Sequence, residues 1–114
     1  MIYIGFSNKS HKLYTKILCK NFRHCATVLI KKDSGVIYQF VQPGKIVLIP
    51  IRKKDIKTLE KYGWLFIRYN KNKINNKKEG VKCLTCVQYT KHLCGIRNIK
   101  IQTPDALFKY LSNK

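Results

Sequence analysis

The chain has 114 residues, 45% of them hydrophobic, which excludes a disordered basic tail and is enough for one domain burying about two thirds of its extended surface. Twenty-four Lys and Arg against five acids give a net charge of +19, which implies attraction to polyanions such as nucleic acid, anionic lipid or cell-wall polymer without choosing among them. No run approaches the ~20 apolar residues of a transmembrane helix.

Met1–Phe6 is apolar but too short for a secretory leader and carries no leading basic residue. The five cysteines (Cys19, Cys25, Cys83, Cys86, Cys94) are odd in number and not spaced like a secreted disulfide framework. A cytoplasmic or virion-associated protein is therefore expected. Heavy joint use of Lys, Asn, Ile and Tyr points to coding bias behind part of the charge, but not behind the scarcity of acids.

In chain order, Ile2 to Phe6 predicts a short strand, Ser7 to Ser10 a turn, and His11 to Lys20 a helix with Leu13, Ile17 and Leu18 inward. His24 to Lys31 predicts a strand, turning through Lys32-Asp33-Ser34-Gly35 into a partner over Val36 to Val41. Gln42-Pro43-Gly44 is a second turn. Lys45 to Ile51, with Ile46, Val47, Leu48 and Ile49, is apolar enough to be largely buried. Arg52 to Tyr62 is a weaker helix closed by Gly63, and Trp64 to Tyr69 a β-rich strand. Residues 70–80 form a mobile lysine-rich loop. Arg97 to Ile101 is a short strand. Thr103-Pro104-Asp105 opens a last helix, with Thr as N-cap, Pro at the first helical position and an acid in the first turn. No internal repeat or domain boundary interrupts residues 1–114.

The chemistry centres on Thr85-Cys86-Val87. The stretch turns from an extended lead-in into a helix running to Leu93, with Thr85 as N-cap and Gly95 as stop. A thiol at that position feels the positive helix end and the free N–H groups, which favour thiolate and make Cys86 a candidate nucleophile. His24, at the start of a strand after Asn21-Phe22-Arg23, is the candidate base. His92 lies in the Cys86 helix but roughly 600° of rotation away, so it is a poor partner, and nothing distinguishes His11. If Lys32 stands opposite Val36 across the hairpin, His24 faces Gly44, and Gln42 lies one pair away on the same face. Gln42 is then the candidate to orient the imidazole. A zinc site from Cys83, Cys86, His92 and Cys94 is the weaker reading, because the His-x-Cys pair diverges by roughly 200° on a helix and no second cysteine pair follows. No metal or other cofactor is expected.

Ile4-Gly5-Phe6-Ser7, Phe22-Arg23-His24-Cys25, Gln42-Pro43, Thr85-Cys86-Val87-Gln88, Gly95-Ile96-Arg97 and Thr103-Pro104-x2-Leu107-x2-Tyr110-Leu111 together resemble a small phage-type group. That group is similar to the circularly permuted branch of the papain-like (NlpC-type) cysteine hydrolases, in which the histidine strand precedes the cysteine helix. The resemblance implies Cys86 as nucleophile, His24 as base and Gln42 as orienting residue. The expected fold is α+β, permuted papain-like, a curved antiparallel sheet of four to five strands with the Cys86 helix packed on it. The expected function is a cysteine peptidase or amidase acting on a peptide or cell-wall amide. The alternative is a non-enzymatic basic module, on a degenerate papain-like fold, that contacts nucleic acid through Lys71, Lys73, Lys77 and Lys78.

Overall fold

A computed structural model describes residues 1–7, 24–42, 45–71, 74, 83 and 85–113, with Gln42 described by its backbone only. The predicted helix over 11–20, the turns at 8–10 and 43–44 and most of the 70–80 loop lie outside the described residues.

The strands are β1 (Ile2–Ser7), β2 (His24–Lys31), β3 (Ser34–Gln42), β4 (Lys45–Arg52) and β5 (Leu65–Tyr69). They form one antiparallel sheet in the order β4-β3-β2-β1-β5. Three helices accompany them among the described residues: α1 (Asp55–Lys61), α2 (Cys86–Cys94) and α3 (Pro104–Ser112). The α+β class and an antiparallel sheet are as the sequence predicts.

Strand alternation sends Ile2, Ile4 and Phe6 to one face of β1, where they pack with Val87 and Cys94 of α2 and Leu107 and Leu111 of α3. Phe6 meets Phe108 edge-on at 5.4 Å. Further along the same face Tyr38 and Phe40 of β3 enclose Tyr89 and Leu93. Each fully buried Phe or Leu here contributes about 2 kcal/mol or more through removal from water. β2 is buried on both faces from Cys25 through Val28, which suits its unbroken Cys-Ala-Thr-Val-Leu-Ile composition. It is the strand that carries the site.

Three expectations are corrected. The hairpin turns at Lys32-Asp33, with Lys31 opposite Ser34, and Lys32 takes the positive φ of 56°. Gly35 lies inside β3 instead: a Cβ there would collide with the Ile30 side chain and come within 2.5 Å of the Leu29 carbonyl. Its glycine serves close strand approach rather than the turn. The observed pairing differs from the predicted one by an odd number of residues, so it exchanges the faces of β3 relative to β2.

β4 is an edge strand with Val47, Leu48 and Ile49 exposed, not a buried one. It also runs on to Arg52, so α1 starts later than expected. The Asp55 carboxylate accepts from the Arg52 N–H at 2.8 Å and pairs with the guanidinium, which holds its carboxyl below the usual value, the backbone bond foremost.

Residues 97–101 are a turn rather than a strand. The buried Lys91 ammonium donates to Asn98 O at 2.6 Å and to Ile101 O at 2.9 Å, so these carbonyls are used by a side chain and not by a neighbouring strand.

Candidate active site

The helix that presents Cys86 is defined at both ends by local chemistry. Thr85 is extended (φ −138°, ψ 161°), and its hydroxyl accepts from the Gln88 N–H at 3.1 Å. At the other end Gly95 adopts φ 71°, with Gly95 N–H to His92 O at 3.3 Å and Ile96 N–H to Lys91 O at 2.9 Å. That pair of bonds is the glycine-ended closure that satisfies otherwise orphaned carbonyls. Cys86 is consequently the first residue of α2, and its N–H has no acceptor within the helix.

The half-buried Cys86 thiol meets three groups of β2. The Cys25 thiol donates to Cys86 Sγ at 3.8 Å. This bond is the largest influence holding the Cys86 thiol well below its ordinary value. Burial opposes it; a side-chain hydrogen bond with His24, the His24 charge and a backbone hydrogen bond from Cys25 reinforce it. Cys25 moves the other way. Burial pushes its thiol well up, and the neighbouring Cys86 charge adds to that, while Thr90 Oγ1 at 3.5 Å offsets part. The surroundings thus favour the thiolate at Cys86 and the thiol at Cys25.

His24 is held from two further sides. The Gln39 side-chain amide hydrogen-bonds His24 Nε2. The atom against the ring is the amide nitrogen of Gln39; a half-turn of the amide exchanges it for the carbonyl, which accepts the Nε2 proton and fixes the tautomer. Trp64 meets the imidazole edge-on, ring centroids 6.0 Å apart, and itself stacks on Phe66 at 5.9 Å. Those rings lie against β1 because Gly5 has no side chain: a Cβ there would fall 2.6 Å from Phe66 Cε1 and 3.0 Å from Trp64 Cε3. His24 is also the first residue of β2, where its ring can reach both Gln39 across the sheet and the thiol on the packed helix.

Of the residues singled out by sequence, Cys86 and His24 come together. Gln42 pairs with Lys45 through its backbone after a register shift in β3, and its side chain lies outside the described residues. The hairpin register puts Gln39 opposite Ala26, on the His24 face. Gln39 was legible only as the lone polar side chain within Val36–Val41, and Cys25 only as the apolar neighbour of the histidine. The Lys71 ammonium donates to Cys94 O at 3.4 Å, at the negative end of α2. Lys73, Lys77 and Lys78 lie outside the described residues.

Cys83 packs beside Tyr38, Phe40, Tyr89 and Leu93, and burial raises its thiol. Among the described residues no three His, Cys, Asp or Glu side chains gather as a metal requires, and no helix is long and apolar enough to cross a membrane. A cavity of about 650 Å³ lies away from the thiol, lined by Ile67, Tyr69 and Leu111, and another of about 420 Å³ at the end of α2 beside His92 and Arg97.

Compared with protein-family models, curated proteins and solved structures, the chain matches none of them.

Proposed function

We propose that the chain is a cysteine hydrolase of amide or ester bonds on a circularly permuted papain-like fold, with Cys86 as nucleophile, His24 as base and acid, and Gln39 as the residue that positions the imidazole. The observation that carries this reading is the chain of contacts from a helix-N-terminal thiol to His24 and from His24 Nε2 to a side-chain amide. Those are the three functions a thiol hydrolase needs: a low-pKa sulfur, a proton carrier, and a group that fixes the carrier's tautomer. The order of histidine strand before cysteine helix supports the permuted arrangement.

In this mechanism the Cys86 thiolate attacks the carbonyl carbon while the Cys86 N–H donates to the developing oxyanion. The His24 imidazolium protonates the leaving amine or alcohol, giving an acyl-cysteine. His24, now neutral, takes a proton from water, whose attack frees the acid and regenerates the thiolate. With a net charge of +19, the enzyme favours amides in anionic peptides or anionic cell-wall polymers.

The test uses activated esters and peptide amides of graded charge with intact-mass detection. A burst of leaving group stoichiometric with the chain is expected, with an acyl adduct mapping to Cys86 and absent in Cys86→Ala. Turnover that survives in Cys86→Ala would overturn the assignment.

A further inference from the structure

We propose that Cys86 and Cys25 form a peroxide-reactive dithiol, in which Cys86 is oxidised by a hydroperoxide and Cys25 resolves the product as a Cys25–Cys86 disulfide. The hydrolytic mechanism uses one sulfur of this pair as nucleophile and gives the second, which donates to it, no reaction of its own. The two Sγ atoms lie 3.8 Å apart, joined by the Cys25 S–H. Cys86 is half-buried at a helix end, whereas Cys25 is 1% exposed on β2. A small oxidant therefore reaches the first sulfur and not the second.

The chemistry balances as follows. The Cys86 thiolate attacks the distal oxygen of ROOH; the O–O bond breaks, Cys86 becomes a sulfenic acid, and the departing RO⁻ takes a proton from the His24 imidazolium to leave as ROH. Cys25 Sγ then attacks the sulfenic sulfur; the S–O bond breaks, and the released hydroxide takes the Cys25 proton and leaves as water. Two thiols have lost two electrons to one peroxide. An external dithiol returns the pair to the reduced form.

Thr90 Oγ1, 3.5 Å from Cys25 Sγ, donates to that sulfur as it sheds its proton. Cys83, though closer in sequence, packs on the same Tyr38–Tyr89 cluster as Cys86, but the sulfur bonded to Cys86 Sγ is that of Cys25, which makes Cys25 the resolving partner. Disulfide formation also shields the hydrolytic sulfur from irreversible over-oxidation.

The full-length protein is treated with hydrogen peroxide, then analysed by intact mass and by proteolytic mapping without reduction. The wild type is expected to lose two hydrogens, about 2 Da, with the cross-link between the peptides holding Cys25 and Cys86, reversed by dithiothreitol. In Cys25→Ser, a sulfenic-acid trap such as dimedone should label Cys86, and Cys86 should progress to sulfinic acid at least ~10-fold faster than in wild type. Should that variant fail to fold, the wild-type map alone decides. A Cys83–Cys86 cross-link, or over-oxidation of wild-type Cys86 with no cross-link, overturns the proposal. Every readout is a mass, so it stands or falls separately from hydrolysis: an inactive hydrolase that still forms the bond defeats only the reading above, and the converse defeats only this one.

Discussion

The two ends of α2 each carry a cysteine, and the two thiols are driven in opposite directions. At the N-terminus Cys86 is held well below its ordinary value by the Cys25 thiol and by His24. At the C-terminus burial pushes Cys94 up to about 12, with Thr27 and Lys71 offsetting only part of it. Both residues rest on the same core, so apolar surroundings do not separate them. What separates them is the supply of donors aimed at the sulfur. The helix presents N–H groups at one end and carbonyls at the other, and β2 adds the Cys25 thiol, His24 and a Cys25 backbone bond at the first end against the Thr27 side chain at the second. The number of partners aimed at the sulfur, set against its burial, decides which way each thiol moves.

The sharpest way to break this contrast is alkylation with iodoacetamide near pH 6, followed by peptide mapping. Cys86 should react at least ~10³-fold faster than Cys94, since thiolate fraction dominates over the lower intrinsic nucleophilicity of a weakly basic sulfur. Equal labelling would abolish the distinction. Next in size, His24→Ala should slow Cys86 labelling at that pH by about 10- to 100-fold, because a hydrogen bond and a positive charge are both removed. Gln39→Ala should have a smaller effect in the same direction and move the midpoint of the pH–rate profile, while Gln39→Asn retains part of the wild-type behaviour.

The Cys94 end gives a stability test. Its thiol stays protonated in the native state up to about 12, while the unfolded chain gives up that proton near 9. Stability is therefore fully present below pH 9 and falls as pH rises from 9 to 12, by about 1.4 kcal/mol per unit at most. Urea midpoints across that range should decline less steeply in Cys94→Ala than in wild type, whatever the offset between the two curves. The smallest effect belongs to the cap: Thr85→Ala should cost about 1 kcal/mol, read as a drop in Tm of about 4 °C.

The ends of α2 were legible in sequence because capping is local: Thr85 and Gly95 act within one turn of themselves. The same holds for Thr103 and Pro104 at the start of α3. The sheet was less legible. Gly35 looks like a turn glycine, and only its approach to Leu29 and Ile30 shows otherwise. Moving the turn by that small amount brings Gln39, which the predicted register turned away, onto the His24 face. Likewise Ile46 to Ile49 has the composition of a buried strand, but burial depends on a neighbour beyond β4, and composition carries no record of one. Cys25 became visible as a partner of Cys86 only when α2 was seen to lie across β2.

Gly5 sets an unexpected limit on how this chain can diverge. It sits in the middle of a strand, opposite Ala26 and Phe66, where glycine forfeits side-chain packing and backbone order. Any larger residue would displace Phe66 and Trp64, and Trp64 is the ring that flanks His24. In a scan of Cys86 alkylation rates across all substitutions, Gly5→Ala should therefore rank with changes at His24 and Gln39, although it bears no functional group. A lineage could exchange much of the lysine-rich surface and leave Cys86 and His24 untouched, yet a single methyl group on β1 would press on the rings that flank the imidazole.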